Sequence, residues 1–177
     1  EIRPHAAGRP TGVLHGLQSS FHAFVGHPTW KEELLQQDII YVGGGNTRSM
    51  MALWKEWGVD QVLRQAYEKG ILLAGVSAGA ICWYEQGITD SVWPLGTVPC
   101  LGLLEGSSCP HYNGEPERKP TYLQMVKEGR AMPGIAIEDK AIAHYKDGKL
   151  YRIKSFEAEK TAYWISEKGE EPLHIDS

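Results

Sequence analysis

A doubly wound α/β sheet is the fold class this chain predicts, and three observations carry it. A β-branched and aromatic run, DIIYV (38–42), stops at Gly43-Gly44-Gly45. A second apolar run of strand length, ILLAGV (71–76), ends in another glycine-flanked turn, GVSAG (75–79). Stretches with helical spacing lie between and after the two. Strand, glycine turn, helix, strand, sharp turn and helix is the rhythm of parallel strands joined by crossover helices. In such sheets, sites lie beyond the carboxyl ends of the strands, where both glycine turns fall.

The elements follow in order. PHAAGRPTG (4–12) reads as loop, and LHGLQSSFHAFV (14–25) as a short amphipathic helix. After the first strand, Asn46-Thr47 caps a helix through MMALWKEW (50–57). Gly58 interrupts that helix, and Asp60 caps a second one, DQVLRQAYEKG, which ends at Gly70. ILLAGV suits a central parallel strand buried on both faces. AGAICWYEQG (78–87) then reads as a helix closed by Gly87. RKPTYLQMVKEG (118–129) is helical, with Pro120 tolerated in its first turn. Four short strands finish the chain at the far edge of the sheet: GIAIED (134–139), AIAHYK (141–146), KLYRIKS (149–155) and TAYWIS (161–166). Asp147-Gly148 is a hairpin signal between the second and third of these.

Bulk properties narrow the function. The 177 residues fit one domain, 1–177, of which 1–36 is the atypical part. With 42% hydrophobic and 23% charged residues, the composition is that of a soluble globular protein. A net charge of -4 gives no electrostatic attraction to nucleic acid or to an anionic membrane surface. The apolar runs are too short to span a bilayer, and no leader pattern opens the chain. Cys82, Cys100 and Cys109 are odd in number and lack metal-type spacing. Free thiols in a reducing cytoplasm are the expectation.

The chemistry centres on Gly75-Val76-Ser77-Ala78-Gly79, which matches the nucleophile-elbow pattern G-x-S-x-G. A serine hydroxyl needs an adjacent base to become a nucleophile at neutral pH. The Ala78 N–H, at a helix start, and an N–H of Gly44 or Gly45 are candidate donors to an oxyanion. Of seven histidines, His5, His15, His22 and His27 lie in the weakly patterned N-terminal stretch and His174 in the tail. His144 alternates with apolar neighbours like a strand-face residue. His111 lies in SSCPHYNGEPER (107–118), read as a loop before a helix, and is the candidate base. Acid candidates are Glu85, Asp90, Glu115, Glu117, Glu138 and Asp139. Asp90 is preferred, because it gives the chain order serine, acid, histidine; Glu115 and Asp139 come next. The spacing of His15, His22 and His27 fits no zinc motif, so no metal is expected.

Taken together, VGGGNT (42–47), GVSAGAICW (75–83), GITDS (87–91) and CPHYNGEPER (109–118) resemble the aspartyl dipeptidase (peptidase E) family of serine peptidases over about residues 37 to 166. The resemblance implies a flavodoxin-like three-layer α/β/α sandwich with a mostly parallel sheet, related to class I glutamine amidotransferases. It implies hydrolysis of dipeptides or short peptides, best known for an N-terminal aspartate, through an acyl-enzyme and without cofactor. Residue by residue it implies Ser77 as nucleophile, His111 as base, Asp90 as acid and Gly43-Gly44-Gly45 as the oxyanion loop. Candidate substrate-binding residues are Asn46, Thr47, Glu115 and Arg118. Family members that select aspartate carry an arginine where this chain has Glu117, and Arg118 follows one residue later. The family also has an additional strand or two before its GGGNT turn, holding a glycine-rich opening segment, and the pattern of residues 1–42 does not read as those strands. A sheet edge left open there would be covered by a second copy, so a homo-oligomer is expected. Two rival readings are a hydrolase of β-aspartyl-arginine units, like the cyanophycin-degrading relatives, and an inactive amidotransferase-like binding domain.

Overall fold

The β-branched run after Asp38 forms a strand whose two parallel neighbours come from either side of it in sequence. In a computed structural model, which describes residues 12–14 (by their backbone), 28–91 and 93–173, β2 (Ile39–Val42) pairs with β1 (Gly12–Leu14) and with β3 (Leu72–Gly75). Helix α1 (Trp30–Leu34) precedes β2 and buries Trp30 and Leu34. Between β2 and β3 run α2 (Thr47–Trp57) and α3 (Val59–Glu68). Asn46 caps α2 by accepting the Ser49 N–H at 2.9 Å. Gly58, at φ 72°, ends α2 in a left-handed turn that a side chain would strain.

After the short helix α4 (Ala78–Ile81) the chain builds a second, mixed sheet. Its strands are β4 (Tyr84–Thr89), β5 (Gly96–Pro99), β6 (Leu104–Cys109), β7 (Gly134–Ile137), β10 (Ala162–Ser166) and β11 (Gly169–Leu173), in the order β11-β10-β7-β6-β4-β5. The central pairs β4–β6 and β6–β7 are parallel, and the outer pairs are antiparallel. Helix α5 (Arg118–Lys127) lies between β6 and β7 in sequence. The hairpin β8 (Ala141–Lys146) and β9 (Lys149–Ser155) turns through Asp147 and Gly148, both at positive φ, as a two-residue hairpin turn requires.

Successive strand residues point to opposite faces, and β7 shows what that produces here. Ile135 joins a buried cluster with Ile40 and Val42 of β2, Trp54 of α2, Leu63 of α3 and Ile153 of β9. Ala136 joins a second cluster with Cys109, Ile165 and the α5 residues Tyr122, Met125 and Val126. Cores on both faces of the strands, each closed by helices, give the three-layer α/β arrangement.

The structure departs from the sequence reading in several places. β3, expected as a central strand buried on both faces, ends its three-stranded sheet and leaves Leu72 53% exposed. The helix expected over 78–87 stops after four residues, at Ile81. From Tyr84 the chain instead runs between β5 and β6, burying Ile88 completely. Ladder pairing on both sides outweighs a modest local helix preference. The expected loop 107–118 begins inside β6, which puts His111 just past a strand end. Gly12, read as loop, belongs to β1, so one strand besides β2 does precede the glycine turn. Strands β5, β6 and β11 and helix α1 were not anticipated. The expected helix over 14–25, apart from Leu14 at the end of β1, and the loop over 4–11 lie outside the described residues.

Trp54 is 1% exposed and among the largest fully buried side chains. Trp54→Ala is expected to lower unfolding stability by about 3–5 kcal/mol, read as a shift of the urea midpoint.

Candidate active site

The serine turn is built by backbone contact. Ser77 sits at φ 55° and ψ -120°, outside the regions open to most side chains. Holding a residue there costs on the order of 1–3 kcal/mol, so the surroundings must over-determine it. They do so through two glycines. A Cβ on Gly75 would lie 2.1 Å from the Gly79 carbonyl oxygen, and one on Gly79 would lie 2.1 Å from the Val42 carbonyl oxygen. The Val76 N–H also donates to the Val42 carbonyl, at 3.1 Å. Helix α4 starts at once: Gly79 N–H bonds to the Val76 carbonyl and Ala80 N–H to the Ser77 carbonyl, both at 2.9 Å. As the first N–H of the helix, Ala78 has no carbonyl one turn earlier to bond. The glycine loop abuts the serine, since a Cβ on Gly44 would stand 3.4 Å from the Ser77 Cβ. Gly45 lines the cavity in front of it.

His111, two residues past β6, brings Nε2 to 3.0 Å from the Ser77 Oγ. Its Nδ1 lies 2.6 Å from the Asp139 Oδ1. Asp139 is two residues past β7, and its own N–H donates to the Asn113 Oδ1 at 3.0 Å. Gly114 makes room for this carboxylate, because a Cβ there would meet the Asp139 Oδ2 at 2.7 Å. The His111 and Asp139 side chains are 35% and 44% exposed.

This corrects the expectation for Asp90. Its carboxylate pairs with Arg118, Oδ1 to Nη2 at 3.6 Å, and the place at His111 Nδ1 belongs to Asp139. Strand order supplies the reason. His111 follows β6, whose neighbours are β4 and β7. Asp90 comes off the end of β4 and Asp139 off the end of β7, so the two acids flank the histidine's strand from opposite sides. A sequence signal for Asp139 existed, an acidic residue closing the strand GIAIED, but nothing local says which strands are neighbours.

A cavity of about 210 Å³ opens beside the serine. Ser77, Ala78 and His111 border it with Thr47, Asp90, Glu115 and Arg118. Arg118 is only 3% exposed. Burial alone would lower its pKa, but the Glu115 hydrogen bond and the nearby Glu115 and Asp90 charges raise it above the ordinary value. Thr47 is buried, with its Oγ1 3.3 Å from the Thr89 Oγ1. Asn46, the other member of the substrate-binding set, does not line the cavity; besides capping α2 it donates Nδ2 to the Ser91 carbonyl at 2.8 Å.

Other acid candidates serve elsewhere. Glu85 accepts the Gly106 N–H at 2.7 Å, and Glu138 accepts the Thr161 N–H at 2.9 Å. Glu117 immediately precedes α5. His144 stays on the β8–β9 hairpin, where its Nδ1 accepts from Arg152 Nε at 3.3 Å. The remaining five histidines lie outside the described residues. The cysteines are free. Burial pushes the Cys100 and Cys109 thiols up to about 12, and raises that of Cys82 as well. Among the described residues, no helix is long and apolar enough to cross a membrane.

An uncharacterized peptidase of Bacillus subtilis, YgaJ, is 47% identical over 132 residues, covering 75% of this chain and 57% of that protein. A protein named peptidase E of Streptomyces coelicolor is 25% identical over 122 residues, covering 67% and 50%. The chain therefore spans about half the length of these relatives. A crystal structure of a peptidase from an acI-B1 Actinobacterium shares the fold at a TM-score of 0.63, with 17% identity, covering 85% of this chain and 62% of that one. Residues 20–153 match peptidase family S51. That match takes in well over half of the chain and contains Ser77, His111 and Asp139, so the chain belongs to peptidase family S51.

Proposed function

We propose that the chain hydrolyses dipeptides or other short peptides by acyl transfer through Ser77. One observation carries this reading: the unbroken chain of hydrogen-bond distances from Ser77 Oγ to His111 Nε2, 3.0 Å, and from His111 Nδ1 to Asp139 Oδ1, 2.6 Å.

In the proposed reaction, His111 Nε2 takes the Ser77 proton as Oγ bonds to the scissile carbonyl carbon. The carbonyl π pair moves onto oxygen. The N–H groups of Ala78 and of Gly44 or Gly45 are the candidate donors to that oxyanion. Protonated His111 then delivers its proton to the leaving nitrogen, the C–N bond breaks, and an acyl-serine remains. Water attacks the ester with His111 again as base, releasing the acid and the Ser77 hydroxyl. Asp139 accepts from Nδ1–H throughout, fixing the tautomer and balancing the imidazolium charge.

Cavity size favours short substrates. The 210 Å³ beside the serine is about seven water volumes, below the roughly 300–1,000 Å³ typical of pockets for larger ligands. Three unpaired thiols suit a reducing compartment, and the cytoplasm is the proposed location.

Two measurements test the reading. A fluorophosphonate probe should label the chain and fail on Ser77→Ala, and peptide hydrolysis should vanish in the same variant. Asp139→Asn should cut kcat by about ten-thousandfold if the carboxylate orients His111. An unlabelled but folded chain would overturn the proposal. Iodoacetamide at pH 8 should leave activity intact. A thiol raised to about 12 is ionised in only about one molecule in ten thousand at that pH, so the Cys100 and Cys109 thiols stay neutral and unreactive.

A further inference from the structure

The cavity beside Ser77 carries more negative than positive charge. Two carboxylates, Asp90 and Glu115, face one guanidinium, Arg118. That guanidinium is occupied. Its Nε and Nη2 both donate to the Glu115 Oε2, at 3.1 and 2.7 Å, and Nη2 also lies 3.6 Å from the Asp90 Oδ1. A substrate carboxylate would have to displace Glu115 from a two-donor ion pair at a cation 97% removed from solvent. It would also arrive where the local balance is one negative charge. The Asp90 side chain, by contrast, is 59% exposed, and among the described residues it is held by the long contact to Arg118 alone. A cation of the substrate meets an accessible carboxylate there.

We propose that Asp90 reads the free α-ammonium group of the peptide substrate, while Arg118, occupied by Glu115, steadies that carboxylate instead of receiving an acidic side chain. The substrates are then unblocked short peptides whose first residue is uncharged or basic, cut after that residue. The proposal rests on the acyl-transfer reading above and gives it a substrate class. Spacing agrees with it. The carbonyl that Ser77 would attack is bonded to the carbon bearing the ammonium group, so nucleophile and amine reader must border one small space. Ser77 and Asp90 both line the same 210 Å³ cavity. Peptide amino groups ionise near pH 8, so the ammonium form prevails at neutral pH.

The test uses the 177-residue chain carrying Ser77→Ala, so that binding is read without turnover. Calorimetry would compare Leu-Leu, acetyl-Leu-Leu and Asp-Leu. Leu-Leu should bind more tightly than the other two. Adding Asp90→Asn should weaken Leu-Leu by about 10- to 100-fold, as expected for a lost hydrogen bond to a charged partner, and leave acetyl-Leu-Leu nearly unchanged. Glu115→Gln frees the guanidinium and should raise the affinity for Asp-Leu relative to Leu-Leu. In the serine-bearing chain, Asp90→Asn should raise KM for Leu-Leu while changing kcat far less. Unchanged Leu-Leu affinity in Asp90→Asn, or tighter binding of Asp-Leu than of Leu-Leu by the parent, would overturn the assignment. The two proposals fail separately. Cleavage that ignores Asp90 sinks this one alone, and Asp90-dependent binding without cleavage sinks acyl transfer alone.

Discussion

The carbonyl end of β2 touches the backbone of the serine turn directly, and the rest of the site depends on that contact. The Val42 oxygen accepts the Val76 N–H on one side of Ser77 and stands against Gly79 on the other. No side chain intervenes, so the turn is positioned by peptide geometry and not by packing that could relax. The next residues after Val42 are the glycines that bring their backbone against the serine. One strand end therefore fixes both the strained conformation of Ser77 and the loop that faces it.

From there the arrangement spreads across neighbouring strand ends. Ser77 follows β3, His111 follows β6 and Asp139 follows β7, each within two residues of its strand. The strands carry buried clusters on both faces, so relative displacement of these ends would disturb a packed core. Hydrogen bonds of 3.0 and 2.6 Å between groups from three strands reflect that rigidity more than any preference of the side chains themselves.

Much of this was legible before any coordinates. Gly75, Ser77 and Gly79 announce their turn because tight backbone approach admits only certain residues, a local constraint that sequence records. His111 was legible for a related reason, lying between Pro110 and Gly114, which mark a loop before a helix. The acid was not. Choosing between Asp90 and Asp139 requires knowing that β6 lies between β4 and β7, and strand order is a property of the whole sheet. The reading of 78–87 as helix failed through the same gap, since Tyr84 to Gly87 become strand only when β5 and β6 flank them. LEGSSC, the strand leading to His111, has no β-branched residue at all and takes its conformation from its neighbours. Arg118 was picked out for the pocket through family resemblance, but its engagement by Glu115 is visible only in three dimensions.

The partial exposure of His111 and Asp139 has a kinetic side. A sealed site strengthens electrostatic attraction but must open to admit water and release product. Here about a third of the imidazole and over two-fifths of the carboxylate already meet solvent. In the acyl transfer proposed above, the departing amine leaves, and the water that resolves the ester arrives, by ordinary diffusion. Among the described residues nothing then has to move aside for either step, while the same exposure screens the charge that Asp139 lends to the imidazolium.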